Sequence, residues 1–385
     1  MENDLRQTAL LVAEGSGGHF IPALETARAL AARGVRVRVW YAARPTTEPL
    51  ADGLRRNLRE SGVEVEPLPV DTAPGAAGRL RRAARLWRQA HRCLKTFAPS
   101  VVVGFGGWVS VPVLLAARWR GIGCVLHEQN VVMGRANRWL ARWVDRVAVS
   151  FSQTQVGSGR AAVTVTGLPV RSAIGRMSRP EAAAVLGLRG EGSTLLVLGG
   201  SQGAGALNQL LPAVAGQLSP EERSTWQFIH ITGPSDVRRV EAAYAACGVT
   251  AWVRPFLIDM EAAYALADLV VARAGASTIA ELAQSGTPAV LIPYPFAGGH
   301  QRANAALVES VGGGVLVEEA AATPERLLEE IRLVLTDAVH RAAMRFETRR
   351  LHRANAADQL AATALDVAMA RPRRMAQAAP VLAAP

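Results

Sequence analysis

Residues 272–305, ARAGASTIAELAQSGTPAVLIPYPFAGGHQRANA, hold the densest set of groups in this chain able to bind a ligand. An apolar run (Leu269, Val270, Val271) stops at Gly275-Ala276-Ser277-Thr278, where a helical segment starts, to be broken at Gly286. A second apolar run, 288–292, ends in Pro293-Tyr294-Pro295 and a loop carrying His300, Gln301 and Asn304. Free backbone N–H groups at a helix start, with the Ser277 and Thr278 hydroxyls beside them, suit a phosphate. Glu281 has two readings. In Thr278-x-x-Glu281 it fits a capping box; as a ligand group, its carboxylate would accept two ribose hydroxyls.

A related constellation, Glu14-Gly15-Ser16-Gly17-Gly18-His19, follows the first apolar run. Its glycines let backbone approach a ligand, and a helix start again favours an anion. The positive end of a helix disfavours imidazolium, so His19 is either a base kept neutral or a capping or surface histidine. The spacing is not G-x-G-x-x-G and no acidic residue ends the second strand, which speaks against a nicotinamide dinucleotide. Gly199-Gly200-Ser201-Gln202-Gly203 repeats the strand–turn–helix pattern, with Ser201 able both to cap the helix and to meet phosphate oxygens. Gly104-Phe105-Gly106-Gly107-Trp108 precedes an apolar helix and leaves room either for tight loop packing or for a bulky acceptor. His127-Glu128-Gln129-Asn130 closes another strand with four polar side chains. No D-x-D pair and no His/Cys cluster with metal spacing occurs, so no metal is expected, and a bound diphosphate would be neutralised by helix ends and arginine.

Parallel strands must position these turns. Strand-like runs fall at 8–13, 35–41, 63–68, 100–104, 123–127, 146–150 and 162–166, then at 194–199, 227–232, 251–255, 268–272, 289–293 and 315–318, with amphipathic segments between most of them. Strands alternating with helices imply α/β architecture with parallel sheets, whose ligands sit beyond the carboxyl ends of the strands. Thirteen strands are too many for one sheet, so two domains are expected, 1–167 and 168–344. A helix at about 345–366 is expected to return to the first domain, and the Ala-, Pro- and Arg-rich tail 369–385 to be disordered.

The 385 residues are 50% hydrophobic, yet no run of about 18 apolar residues is present to span a membrane. Three scattered cysteines, Cys93, Cys124 and Cys247, argue against a disulfide framework and for a reducing compartment. The formal charge of +11 is one-sided: residues 1–160 hold 23 Lys+Arg against 12 Asp+Glu, whereas 161–385 balance at 20 each. Such asymmetry points to an anionic partner. It concentrates in the segment from Arg79 to Phe97, RLRRAARLWRQAHRCLKTF, where Leu80, Ala83/Ala84, Trp87, Ala90, Leu94 and Phe97 recur at helical spacing among arginines. That pattern serves a domain helix with a solvated basic face, an interfacial helix on anionic lipid, or both, with Trp119, Trp139 and Trp143 extending the patch. A nucleic-acid groove is not expected, since no binding motif or stacking pattern appears.

Taken together, GSGGHFIPAL, GFGGWVSVP, LHEQN, GGSQGAGALN and the 272–305 segment, in this order and spacing, resemble the MurG family of glycosyltransferases over about residues 8–365. The resemblance implies a GT-B fold, two Rossmann-like domains facing across a cleft. It implies inverting transfer of GlcNAc from UDP-GlcNAc to the MurNAc 4-hydroxyl of undecaprenyl-linked lipid I, making lipid II at the cytoplasmic membrane face without a cofactor, and leaves room for other cell-wall synthesis proteins as partners. It places Ser16, Gly17 and Gly18 against the donor, His19 as base, Asn130 on the sugar and Arg171 on the nucleotide. Ser201 and Gln202 would meet the diphosphate, Leu257 would border uracil, Ala276, Ser277 and Thr278 would cradle phosphate and ribose, Glu281 would take the ribose hydroxyls, and Gln301 would contact the sugar. Another UDP-sugar enzyme of the same fold, such as a lipid glycosyltransferase or a UDP-GlcNAc 2-epimerase, and an inactive UDP-sugar-binding scaffold are the alternatives. Two departures from the family pattern stand out: Glu14 in place of Gly, a charge beside the phosphate turn, and Leu168 in place of Asn, a polar group lost beside Arg171.

Overall fold

The computed structural model describes residues 7–15, 17–43, 62–68, 75–157, 159, 161–200, 203–296 and 298–371; Ser16, Ser201 and Gln202 lie outside them. Among the described residues, thirteen strands form two all-parallel sheets. The first comprises β1 (Thr8–Glu14), β2 (Arg36–Ala42), β3 (Val63–Leu68), β4 (Val101–Gly104), β5 (Gly123–Glu128), β6 (Arg146–Val149) and β7 (Ala162–Val165), in the order β3-β2-β1-β4-β5-β6-β7. The second comprises β8 (Ser193–Leu198), β9 (Trp226–Ile231), β10 (Thr250–Arg254), β11 (Leu269–Ala272), β12 (Ala289–Leu291) and β13 (Gly314–Leu316), in the order β10-β9-β8-β11-β12-β13. The central strands are covered on both faces, which is why Val101-Val102-Val103 and Leu269-Val270-Val271 are continuous apolar runs rather than alternating ones. In each sheet the strand order reverses beside the opening strand, between β1 and β4 and between β8 and β11. Diverging connections leave a crevice there.

Local signals in the sequence end the helices that border these crevices. Helix Gly17–Ala31 stops before Gly34, whose φ of 77° lies in the left-handed region, and helix Ala276–Ser285 stops at Gly286 with φ 69°. On one face of the first sheet, helices Gly75–Thr96, Ser110–Trp119 and Arg135–Leu140 bury Leu86, Ala90, Leu94, Val113, Leu114 and Leu140 in one core. The buried stripe of the basic helix runs from Leu86 to Phe97; Ala83 and Ala84, expected within it, are exposed. Leu80's side chain is outside the described set.

One helix at about 345–366 is what the sequence suggests; the structure has two. Helix Ala338–Arg350 stays with the second domain, with Thr348 hydrogen-bonded to the Gly313 carbonyl. Helix Ala356–Ala370 crosses back and places Leu360, Ala361, Ala364 and Val367 in the core of the first sheet. The break sits at Asn355, at φ 57°, a left-handed conformation that asparagine tolerates better than most residues. Met369 and Ala370, assigned by sequence to the tail, complete that helix; 372–385 lie outside the described residues.

Candidate functional site

The two crevices face each other across an open cavity of about 780 Å³. Three helix starts converge on it: Gly17 and Gly18; Gly203 to Ala206; and Gly275 to Thr278. The helices beginning at Gly205 and Ala276 have Ala204 and Gly275 as N-caps with no side-chain cap hydrogen bond, so their first N–H groups are left for a ligand. Gly203 is required by the turn: at φ 75°, a Cβ there would lie 2.1 Å from the Thr232 carbonyl oxygen. The domains approach closely, a Cβ on Gly18 lying 3.8 Å from Ser277 Oγ. That hydroxyl is itself buried without a hydrogen-bond partner, which marks a polar group awaiting a ligand.

Glu281 is not part of a capping box. The helix starts at Ala276, so Thr278 is its third residue and Glu281 its sixth, beyond reach of the cap. The residue is buried, 7% exposed, and lines the cavity. One oxygen accepts from Arg171 Nη1 at 3.2 Å and the other from the Tyr264 hydroxyl at 3.0 Å. Burial pushes its pKa above the ordinary 4.5, against the pull of Arg171 and Tyr264. Beside Arg171, Leu168, which stands where the family pattern has asparagine, is buried, and Gln284 Nε2 donates to the Arg171 carbonyl at 2.9 Å.

Of the residues expected from sequence, Gly17, Gly18, Arg171, Leu257, Ala276, Ser277, Thr278, Glu281 and Gln301 line the cavity. Gln301 accepts from the Tyr294 N–H at 2.9 Å through Oε1, leaving Nε2 for a ligand. His19 and Asn130 do not line it. His19 is half-buried in the first turn after Gly18, close enough to His127 to act on it electrostatically. Asn130 is engaged elsewhere, its Nδ2 on Glu128 and its Oδ1 on Asn304. Glu14 turns from the cavity to the first-domain loop, where a Cβ on Gly107 would collide with its carboxylate.

Arg273, Tyr294 and Glu319 were missed. They follow β11, β12 and β13, so adjacency of those strands brings them together. Arg273 donates to the Ile292 carbonyl at 3.1 Å, pairs with Glu319 and lies 5.5 Å from the Tyr294 ring centre. Its place at a strand end, one residue before the Ala-Gly turn, was the available signal.

Behind the site His127 is fully buried. Its Nε2 faces the Gly167 carbonyl at 3.1 Å and its Nδ1 faces Gln129 Nε2 at 3.3 Å. A carbonyl only accepts, so Nε2 carries the proton and Nδ1 accepts. Burial lowers its pKa from 6.5 to about 4, and that of buried His230 to about 3. Both depressed values mean that the unfolded chain binds more protons below pH 6.5. Stability is therefore present above pH 6.5 and lost as pH falls toward 4. Thermal unfolding followed from pH 7 to 5 should show the midpoint falling, with a shallower slope in His230→Gln; identical slopes would refute the assignment.

Residues 9–149 match the glycosyltransferase family 28 N-terminal domain and residues 194–360 its C-terminal domain. The chain is 37% identical over 364 residues to the UDP-N-acetylglucosamine–N-acetylmuramyl-(pentapeptide) pyrophosphoryl-undecaprenol N-acetylglucosamine transferase of Mesorhizobium japonicum, covering 92% of this chain and 94% of that one. Identity to the protein of that name from Nitrosococcus oceani is 40% over 366 residues, covering 93% and 98%. The crystal structure of Acinetobacter baumannii MurG superimposes with a TM-score of 0.71 at 28% identity, over 94% of this chain and 99% of that one.

Proposed function

This chain belongs to glycosyltransferase family 28 and, within it, to the N-acetylmuramyl-(pentapeptide) pyrophosphoryl-undecaprenol N-acetylglucosamine transferases; on that premise we propose how its cleft performs the transfer of GlcNAc from UDP-GlcNAc to lipid I. The observation that carries the reading is the convergence of uncapped helix starts and the Glu281 carboxylate on one interdomain cavity. Phe256, Leu257 and Met260 supply the apolar wall for uracil, Glu281 takes the ribose hydroxyls, and the helix starts with the Ser277 hydroxyl take the diphosphate. The sugar extends toward Gln301, and the acceptor enters from the first domain beside His19 and the Gly104–Gly107 turn. The MurNAc 4-hydroxyl oxygen attacks the anomeric carbon from the face opposite UDP. Its proton passes to His19, the bond from that carbon to the diphosphate oxygen breaks, and the departing negative charge is met by the helix N-termini.

An acceptor with a lipid tail calls for a membrane-facing surface. Trp119 on helix Ser110–Trp119 and Trp139 on helix Arg135–Leu140 are 74% and 43% exposed, and Trp143, in the turn after the latter, is 48% exposed. Arg81, Arg85, Arg88, Arg118, Arg138 and Arg142 are exposed among them. Arg82 instead packs over the Trp108 ring. Among the described residues no helix is long and apolar enough to cross a membrane; exposed tryptophans beside arginines support the reading of this face as the one that meets anionic lipid.

Labelled GlcNAc transferred from UDP-GlcNAc to a lipid I analogue tests the function; UDP binding without transfer would leave only a sugar-nucleotide-binding protein. Reversing Arg81, Arg85 and Arg88 to Glu should weaken binding to phosphatidylglycerol vesicles at least about a hundredfold, at about 1 kcal/mol per surface charge. Transfer to a water-soluble acceptor should stay unchanged. Equal vesicle binding would refute the membrane face.

A further inference from the structure

A second open cavity, of about 330 Å³, lies where the chain passes twice between the domains. Residues 168–170 line it at the first passage and residues 352–358 at the second. It shares a wall with the donor cavity. Arg171 lines the donor cavity, while its neighbours Val170 and Ser172 line the second one. Ile21 likewise lines the first, and Glu25, one turn further along helix Gly17–Ala31, lines the second. Glu25 does not line the donor cavity.

Glu25 is a carboxylate on a helix face that is otherwise apolar and covered, and it is only 8% exposed. Its Oε1 accepts from Arg28 Nη1 at 2.6 Å; among the described residues its other oxygen has no hydrogen-bond donor. Of the remaining charged groups that line this cavity, Asp358 pairs with Arg33, and Arg176, His352 and Arg353 are exposed. The second cation whose charge bears on Glu25 is Arg171. Burial raises the Glu25 pKa above 4.5, and Arg28 and Arg171 draw it back. Arg171 therefore stands between two buried carboxylates, Glu25 of the first domain and Glu281 of the second. Its hold on Glu281 is correspondingly slack. Nη1 makes one bond to Glu281 Oε1 at 3.2 Å, and among the described residues the guanidinium makes no other hydrogen bond. Arginine and carboxylate commonly close into two parallel bonds of about 2.7–2.9 Å. A carboxylate has about four acceptor positions. Arg171 and the Tyr264 hydroxyl take one on each Glu281 oxygen, so each oxygen keeps one for a ligand.

We infer that Glu25 is a positioning residue for the ribose site: by sharing Arg171 it keeps the guanidinium from closing on Glu281, and so leaves the Glu281 carboxylate open to two ribose hydroxyls. The inference rests on the proposed placement of ribose at Glu281. Because Glu25 acts from the helix that begins with Gly17 and Gly18, recognition of ribose by a second-domain group depends on the first domain being in place.

Glu25→Gln removes the charge and keeps the size of the side chain. With Arg171 released onto Glu281, UDP affinity measured by calorimetry should fall about three- to thirtyfold, the range for one link in a coupled network. The preference for UDP over 2′-deoxy-UDP should shrink with it. Glu25→Asp, which keeps the charge, should lose less. In an Arg171→Ala background, adding Glu25→Gln should change neither quantity by more than about twofold, because the group through which Glu25 acts is gone. Unchanged affinity and preference in Glu25→Gln overturn the inference. An equal loss in the Arg171→Ala background does so too, since it would give Glu25 a merely structural role in its helix. If Glu25→Gln fails to fold, Glu25→Ala, a favourable substitution in a helix interior, decides by the same comparison. Equal binding of UDP and 2′-deoxy-UDP by the unaltered protein would instead overturn the ribose placement itself.

Discussion

Replacing His19 with alanine should lower kcat by about two to four orders of magnitude, the usual contribution of a positioned general base, while leaving UDP affinity within about twofold. The split follows from where the groups sit. Those assigned to the nucleotide, Leu257, Ser277, Thr278 and Glu281, belong to the second domain, whereas His19 follows the first-domain glycines that complete the cavity wall. Its work is confined to the step in which the acceptor hydroxyl loses its proton as the new bond to the anomeric carbon forms. The neighbouring His127 bears on that step. Held at a pKa of about 4 by burial, it is uncharged at neutral pH and does not oppose a positive charge developing on His19. Steady-state transfer and UDP calorimetry on His19→Ala and His19→Gln decide the matter, together with loss of the acidic limb of the pH–rate profile. An unchanged kcat would remove His19 as base and shift attention to Glu14, whose carboxylate lies on the Gly107 turn of the same crevice.

Much of the architecture was legible because parallel strands are buried on both faces and so appear as uninterrupted apolar runs. Runs at 8–13, 194–199 and 268–272 became β1, β8 and β11, and the glycine turns after them line the cavity. The start of helix Ala276–Ser285 was less legible. Its N-cap is Gly275, which has no side chain to announce it, so Thr278 three residues later mimicked a capping box. Arg273, Tyr294 and Glu319 escaped notice for another reason. Each is unremarkable in its own segment, and only the order β11-β12-β13 brings them together. The nearness of Glu25 to Arg171 likewise depends on how two domains meet, which no local pattern of residues encodes.

Glu281 is where the two readings of the sequence part most sharply. Glu281→Gln keeps the size of the side chain and an acceptor for Tyr264, but removes the charge opposite Arg171 and an acceptor for ribose. Hydrogen bonds to a charged group contribute about 1.5–3 kcal/mol each, so UDP affinity should fall roughly tenfold to a few hundredfold. The same loss should be visible from the ligand side. If Glu281 reads the ribose hydroxyls, 2′-deoxy-UDP should bind the unaltered protein much more weakly than UDP, and that preference should collapse in Glu281→Gln. A preference surviving the substitution would refute the ribose assignment, and a change confined to the unfolding midpoint would return Glu281 to a structural role. The pH dependence adds an independent check. Burial raises the folded pKa of Glu281 above 4.5, so the folded state binds its proton more tightly than the unfolded chain does. Its contribution to stability is accordingly present below pH 4.5 and lost as pH rises through the raised value. Ligand binding requires the opposite form, because only the ionised carboxylate offers acceptors on both oxygens. Acidification through that range should therefore weaken UDP binding while this residue's contribution to the fold grows, the pattern of a carboxylate retained for its ligand at a cost in stability.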